Sequence, residues 1–280
     1  MQPLTEDLVA RINQIVRDCG QSAKHLAAQG FEIYQKGPGD YVTDVDRALD
    51  EQLTQAFGCL LPEDSLVTEE NTASLQGFHN LTQRIWCVDP LDGTQDFMNG
   101  DPDYSVMVGA LQGEPLAGWI YAPEYDVLYF GGPELGLWQR KGDLEKYPLM
   151  PHPVQQSQRL IIGYKDLQNY GAAIQIQLPQ VEFWQRPGSF GLKVLEVLQG
   201  QAGAYVYFNQ RVKVWDTVAP IAIARAAGLQ CCDLSGQSIG YATDQIQPET
   251  LAHLQPIVIG WPPVVNGLLP ALAGAVNASV

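Results

Sequence analysis

Basic residues are what this chain is shortest of. Sixteen lysines and arginines stand against 31 acidic residues in 280, a net charge of −15. Gripping a nucleic-acid polymer needs a cationic surface, so that class of partner is excluded. Cysteines are few and irregularly spaced. Cys19, Cys59, Cys87, Cys231 and Cys232 form no C-x-x-C pair, which argues against a zinc site or a disulfide framework. A reducing, cytoplasmic compartment fits that usage. Long apolar runs are missing as well. Residues 256–280 are apolar, but Pro262, Pro263 and Pro270 interrupt them, and they read as a strand and a short helix, not a membrane span. No apolar run follows a basic segment near the start, so no signal peptide is expected. There is no P-loop and no serine nucleophile elbow. His25, His79, His152 and His253 sit near no recognisable partner and read as surface or loop residues. Internal repeats and low-complexity tracts are also absent.

The composition that remains, 46% hydrophobic, is globular and large enough for one big domain or two packed lobes. Within it, Trp86-Cys87-Val88-Asp89-Pro90-Leu91-Asp92-Gly93-Thr94-Gln95-Asp96-Phe97 stands out. Residues 85–88 read as a buried strand that Asp89-Pro90 ends, because proline cannot donate to a sheet ladder. Two carboxylates on one tight turn repel unless a cation lies between them. Hard divalent cations such as Mg²⁺ take such oxygens and keep positions for water and phosphate. Gly93-Thr94 then turns the chain toward a helix, whose free amides suit a phosphate. The plain alternative is a polar turn after a strand. A cation site would also reconcile an acidic chain with an anionic substrate, since loading makes it locally positive.

In chain order, Leu4, Leu8, Ile12 and Ile15 mark one face of a first helix closed near Gly30. Residues 36–40 read as a loop. Thr43 and Asp46 have the spacing of a capping box opening a second helix, with Val45, Leu49 and Leu53 inward. Residues 65–68 are a short strand running into Glu69-Glu70, a pair that ordinarily faces solvent. Residues 105–111, 116–122, 127–130 and 135–138 form a meander. The polar, proline-bearing stretch 141–158 marks the boundary between a lobe at 1–150 and one at 151–280. Beyond it strands and helices alternate: strands at 159–163, 181–185, 203–208 and 257–261, helices at 164–177, 190–199 and 215–227. Asp216 stands where a helix N-cap belongs, and Gly228 where the helix closes.

Taken together, these pieces resemble the inositol monophosphatase superfamily of Mg²⁺-dependent, lithium-sensitive phosphatases. Three blocks carry the likeness: Asp40-x-Val42-Thr43-x-x-Asp46 followed by Glu69-Glu70; Asp89-Pro90-Leu91-Asp92-Gly93-Thr94; and Trp215-Asp216. The resemblance implies a five-layer αβαβα sandwich of the sugar-phosphatase type. Its first lobe would be α+β with an antiparallel sheet and most metal ligands, and its second α/β, supplying Asp216 and substrate contacts. It further implies that Glu69, Asp89 and the Leu91 carbonyl hold one Mg²⁺ and that Asp89, Asp92 and Asp216 hold another. A third, weaker cation would sit near Glu69. Gly93 and Thr94 would offer amides to the phosphate, Thr94 and Glu69 would hold the attacking water, and Thr43 and Asp46 would support it. Four carboxylates balance two divalent cations, and a metal-acidified water needs no histidine base. The partner implied is a small phosphorylated molecule. Relatives are often homodimers, though no interface is legible here.

Within the superfamily, Gly188-x-x-Gly191-x-Lys193 and Trp215-Asp216-Thr217-x-Ala219-Pro220 resemble the bisphosphate nucleotidase branch, which acts on 3′-phosphoadenosine 5′-phosphate. Gly188, Ser189 and Lys193 then join the expected substrate contacts. Asn209 stands where the inositol branch has a glutamate for sugar hydroxyls, and an amide still bonds a hydroxyl. Against the nucleotidase branch, Tyr164-Lys165-Asp166 replaces a Ser/Arg/His-rich turn. Inositol phosphates and sugar (bis)phosphates stay open as substrates, and a non-catalytic, partner-binding relative stays open as another class. Retention of mutually repelling acids at positions 69, 89, 92 and 216 speaks against the last. Asp89→Asn or Asp92→Asn is expected to abolish turnover while leaving the circular dichroism spectrum intact. Near-wild-type phosphate release from either variant would remove the metal assignment.

Overall fold

The computed structural model describes residues 4–37, 39–186 and 188–278, which fall into two units. The first holds the chain up to Leu149 together with Gly188–Leu192 and Val214–Ile223. The stretch 214–223, expected with the second lobe, therefore packs with the first.

In the first unit the elements are α1 (Glu6–Gln29), β1 (Ile33–Gly37), β2 (Asp40–Thr43), α2 (Asp44–Leu60), β3 (Ser65–Thr68), a 3₁₀ turn (Thr72–Gly77), β4 (Ile85–Asp92) and α3 (Thr94–Asn99). The meander β5 (Ser105–Gln112), β6 (Glu114–Ala122), β7 (Val127–Gly132) and β8 (Gly136–Lys141) follows, with a last strand β9 (Tyr147–Pro148). Strands β3 to β9 make one seven-stranded sheet in chain order, parallel only at β3/β4. Its margin is thin: β9 pairs with β8 through Tyr147 and Pro148 alone. Strands β1 and β2 form a separate hairpin, so Lys36, Gly37 and Asp40, expected in a loop, are strand residues. Pro38 lies outside the described residues.

Helix α1 starts where Thr5 accepts the Leu8 N–H at 3.2 Å and ends at Gly30, whose φ of 89° suits a residue without Cβ. Its buried face runs Leu8, Ile12, Val16, Cys19 and Ala23, the helical period. On one side of the sheet, Phe57 of α2 meets Trp86 at 5.2 Å and Trp86 meets Trp119 at 5.9 Å. Such ring pairs add about 0.5–1.5 kcal/mol each beyond area burial. The Trp119 indole N–H donates to Asn13 on α1 at 2.8 Å, which ties that helix to the same side.

Side chains alternate along a strand, so Gly118, next to Trp119, faces the other side. It pairs with Gly109 across β5/β6. A Cβ at Gly118 would come 2.2 Å from the Ala219 carbonyl oxygen, and one at Gly109 2.7 Å from the Ala219 nitrogen. The two glycines are thus a seat onto which 214–223 closes backbone to backbone. That seat brings Asp216 into the first unit.

The second unit carries β10 (Arg159–Ile162), α4 (Tyr164–Gln177), β11 (Glu182–Trp184), most of α5 (Phe190–Leu198), β12 (Ala204–Tyr207), the end of α6 (Val214–Ala226), β13 (Gln230–Cys232), β14 (Ile257–Gly260) and α7 (Pro262–Asn277). Its five-stranded sheet runs β11-β10-β12-β14-β13, with β10 parallel to both neighbours and β14 antiparallel to both of its own. Helix α7 accommodates Pro262 and Pro263 at its first turn, where no amide is missed, and Pro270 inside. His253 is fully buried here against Tyr241, not on the surface as expected. Burial lowers its pKa to about 3, so it is neutral at physiological pH.

Gly118→Ala is expected to lower unfolding free energy in urea by about 1–3 kcal/mol, because backbone and not a flexible side chain must yield. Gly58→Ala, on α2 with nothing within 4 Å of the new Cβ, is expected to raise it by up to about 1 kcal/mol.

Candidate active site

Strand β4 does not stop at Asp89-Pro90; it continues to Asp92. From Asp89 to Asp92 it advances three residues while β5 advances two, from Met107 to Ser105. The extra residue is a bulge, a place where a sheet tolerates proline. The bulge re-aims both aspartates at the strand's end. Gly93 follows with φ of 96° and caps α3. A Cβ there would lie 3.1 Å from the Asp103 carbonyl and from the Ser189 nitrogen, so glycine is required twice over.

Thr43 is fully buried at the N-cap of α2. Its amide and hydroxyl both donate to Asp46 Oδ2, at 2.8 and 2.5 Å. Asp46 Oδ1 accepts from the Thr94 hydroxyl at 2.9 Å, and that hydroxyl also lies 3.1 Å from the Leu91 carbonyl. Burial raises the Asp46 pKa, against the hydrogen bonds from Thr43 and Thr94 that favour its charged form. The capping box is therefore also the mount for Thr94.

Glu69 leaves β3, its amide donating to Val88 O on β4 at 3.2 Å. Asp89 is 1% exposed, with its Oδ1 accepting the Leu91 N–H at 3.0 Å. Asp216 is in the first turn of α6, which begins at Val214, so it is a helical residue and not the cap it was expected to be. Pro220 stands four residues on and has no N–H to return to the Asp216 carbonyl. One oxygen each of Glu69, Asp89 and Asp216 lie within 4.8 Å of one another. Burial, then the charges of Glu69, Asp92 and Asp216, push the Asp89 pKa well above the carboxylate range. Carboxylates this close, with Asp89 buried among them, favour a shared proton or a cation. An all-oxygen donor set fits Mg²⁺ better than a soft metal.

Asp92 faces a different partner. Its Oδ2 accepts from the Ser189 hydroxyl at 2.5 Å and from the Gly191 N–H at 3.1 Å. Ser189, expected among the substrate contacts, is fully buried. Gly188 packs on Asp103, where a Cβ would fall 2.1 Å from the carbonyl oxygen. Lys193 and Asn209 belong to the second unit. There Lys193 lies over the Tyr205 ring at 5.8 Å, and the Asn209 Oδ1 accepts the Arg211 N–H at 3.2 Å while its side chain also bonds Asp166.

Sequence reasoning gave no role to Lys36. Its ammonium lies 3.2 Å from Glu69 Oε1 and 2.6 Å from Glu70 Oε1. Burial pulls its pKa down, but the two glutamates outweigh burial and raise it. Glu70 is pushed up to about 7 by burial and Glu69. Ser105 went unnoticed too, and Gly191 was read only as part of the Gly188-x-x-Gly191-x-Lys193 motif. Nothing local marks their meeting with Asp92, which comes only through the fold.

The chain matches the inositol monophosphatase family model over residues 3–266. It is 28% identical over 245 residues to the 3′(2′),5′-bisphosphate nucleotidase CysQ of Salmonella typhimurium, covering 84% of this chain and 94% of that protein. It is 27% identical over 202 residues to a fructose-1,6-bisphosphatase/inositol-1-monophosphatase of Aquifex aeolicus, covering 70% of this chain and 73% of that one. Among solved structures, a Thermotoga maritima IMPase superposes with a TM-score of 0.77 at 17% identity, covering 98% and 100% of the two chains. The Bartonella henselae extragenic suppressor protein SuhB gives 0.76 at 22%, covering 95% and 98%.

A cation entering among these acids would have to displace protons, so its uptake would depend on pH. Glu70 moves from 4.5 in an open chain to about 7, and Asp89 rises too. For a carboxyl raised on folding, the stabilising contribution is fully present below its unfolded value and is lost as pH rises through the folded value. The metal-free fold is therefore expected to lose stability between about pH 5 and pH 8 at this site. His253 has the opposite sign, but it acts equally with and without cation. The measurement is thus the difference in melting temperature with and without Mg²⁺. That difference should grow with pH, and calorimetry in buffers of different ionisation heat should show protons released.

Proposed function

The chain belongs to the inositol monophosphatase family, a phosphatase class, and from that premise we propose that it hydrolyses a small phosphate monoester by Mg²⁺-assisted attack of water. We assign 3′-phosphoadenosine 5′-phosphate as its substrate. The observation that carries the first part is the approach of Glu69, Asp89 and Asp216 to within 4.8 Å, which a divalent cation would relieve. In this proposal Glu69, Asp89, Asp92, Asp216 and the Leu91 carbonyl hold two Mg²⁺, with a third, weaker one beside Glu69. Bound Mg²⁺ supplies positive charge that acidifies water and neutralises phosphate.

The protein's own groups do the positioning. The Thr94 hydroxyl donates its hydrogen bond to Asp46 Oδ1 or to the Leu91 carbonyl, which leaves its oxygen to accept from the attacking water. Glu69 holds that water from the other side. Thr43 locks Asp46 and so fixes Thr94. The amides of Gly93 and Thr94, at the start of α3, face the phosphate, because the first amides of a helix have no acceptor within it. Phosphoryl transfer asks for little beyond such placement and charge balance.

The substrate assignment is supported by Gly188-x-x-Gly191-x-Lys193, by Trp215-Asp216-Thr217-x-Ala219-Pro220 and by the extent of the match to the CysQ nucleotidase. Lys193 and Asn209 are the remaining side chains we assign to substrate. Phosphate release from 3′-phosphoadenosine 5′-phosphate, inositol 1-phosphate and fructose 1,6-bisphosphate decides the matter. The first should lead in kcat/KM by about tenfold or more. A lead for either of the others would reassign the substrate. Release from none of them, with no Mg²⁺ bound, would favour the partner-binding relative.

A further inference from the structure

Ser189 opens α5, and its hydroxyl accepts the Leu192 N–H at 3.1 Å, as a capping serine does. On an exposed helix the serine's own proton would go to water. Here the side chain is 0% exposed, and that proton goes to Asp92 Oδ2 at 2.5 Å. A hydroxyl has only one proton to give. Ser105 Oγ, 2.8 Å from Ser189 Oγ, must therefore be the donor in that contact. The order of the chain is Ser105 to Ser189 to Asp92. The Gly191 N–H reaches the same Asp92 oxygen at 3.1 Å. The Ser189 amide is itself held by the Asp103 carbonyl at 2.9 Å. All of these residues cluster in the first unit.

Asp92 Oδ2 thus takes two donors at the amino end of a helix, where the backbone dipoles favour negative charge. In the function proposed above, the carboxylate that these donors hold would also serve a cation. We infer that Ser189 is a positioning residue: through its hydroxyl it fixes the rotation of the Asp92 carboxylate and thereby sets the affinity of the site for a divalent cation. This rests on the reading of Asp92 as a metal ligand. Ser189 is then no substrate contact. It acts through Asp92, and Ser105 acts through Ser189 by supplying a proton that leaves the serine's own free for the carboxylate.

The experiment is Mg²⁺ titration by calorimetry on the full chain without substrate, alongside kcat and KM. Ser189→Ala should weaken Mg²⁺ binding by about tenfold, the scale of losing one hydrogen bond to a charged group. KM for substrate should stay near wild type at saturating Mg²⁺. Ser189→Thr keeps the hydroxyl and should recover affinity to within about threefold, whereas a purely helix-capping role would be met as well by Ser189→Asp. The aspartate caps, but it repels Asp92 and should bind Mg²⁺ worse than Ser189→Ala. In an Asp92→Asn background, Ser189→Ala should add no further loss, because the two changes remove one interaction. Ser105→Ala, should Ser189→Ala fail to fold, should give a smaller loss of the same kind. Unchanged Mg²⁺ affinity in folded Ser189→Ala, or losses that add with Asp92→Asn, would overturn the inference while leaving the phosphatase reading standing. A wild-type chain that takes up no Mg²⁺ would instead overturn the function proposed above.

Discussion

Mutual repulsion among acids gathered around one that cannot reach water is the constraint on which this molecule turns. Asp89 is 1% exposed and faces Glu69 and Asp216 across less than a typical Debye length. Solvent cannot fully screen charges that close when one of them is buried. A fold that keeps such a group must surround it with something that tolerates the charge or replaces it. Most of the local structure of the first unit can be read as an answer to that demand. The bulge in β4 separates Asp89 from Asp92, and the glycine seat under 214–223 brings Asp216 close.

The acids of this region fall into two kinds. Asp46 and Asp92 have protein donors on their oxygens: Thr43 and Thr94 for one, Ser189 and Gly191 for the other. Their orientation is settled without any ion. Glu69 and Glu70 share the ammonium of Lys36 on a hairpin strand. Asp89 accepts the Leu91 amide on Oδ1 and shares a side-chain hydrogen bond with a second carboxyl, Asp216. Glu69, Asp89 and Asp216 converge beside them. One region thus combines carboxylates held in place by protein donors with carboxylates crowded against one another.

How much of this was legible in the sequence depended on distance along the chain. The capping box at Thr43 and Asp46 was readable because both partners lie within one turn. The strand and glycine turn at 85–94 are readable for the same reason, although Pro90, which alone suggests a strand end, sits in a bulge. The capped α1, the meander and the alternation after residue 158 followed from periodicity and turn residues. Long-range contacts were a different matter. Ser105 and Ser189 meet Asp92 because β5 and the start of α5 arrive beside it, and no local pattern encodes that meeting. Gly109 and Gly118 looked like ordinary strand glycines, yet they decide where Asp216 goes. His253 has no charged neighbour in sequence to betray that burial keeps it neutral. Asp216 joined Glu69 and Asp89 on paper only through family resemblance.

The far margin of the large sheet bears on a separate matter. A strand at the rim of a sheet offers unpaired amides and carbonyls to any passing chain, and long flat rims invite fibril growth. Here the rim is β9, two residues long, and one of them is Pro148. An incoming strand would find almost no ladder to extend and a missing donor where the next rung should be. Lateral stacking of copies therefore finds no foothold on that side, which protects a concentrated, crowded solution of this protein from sticking edge to edge.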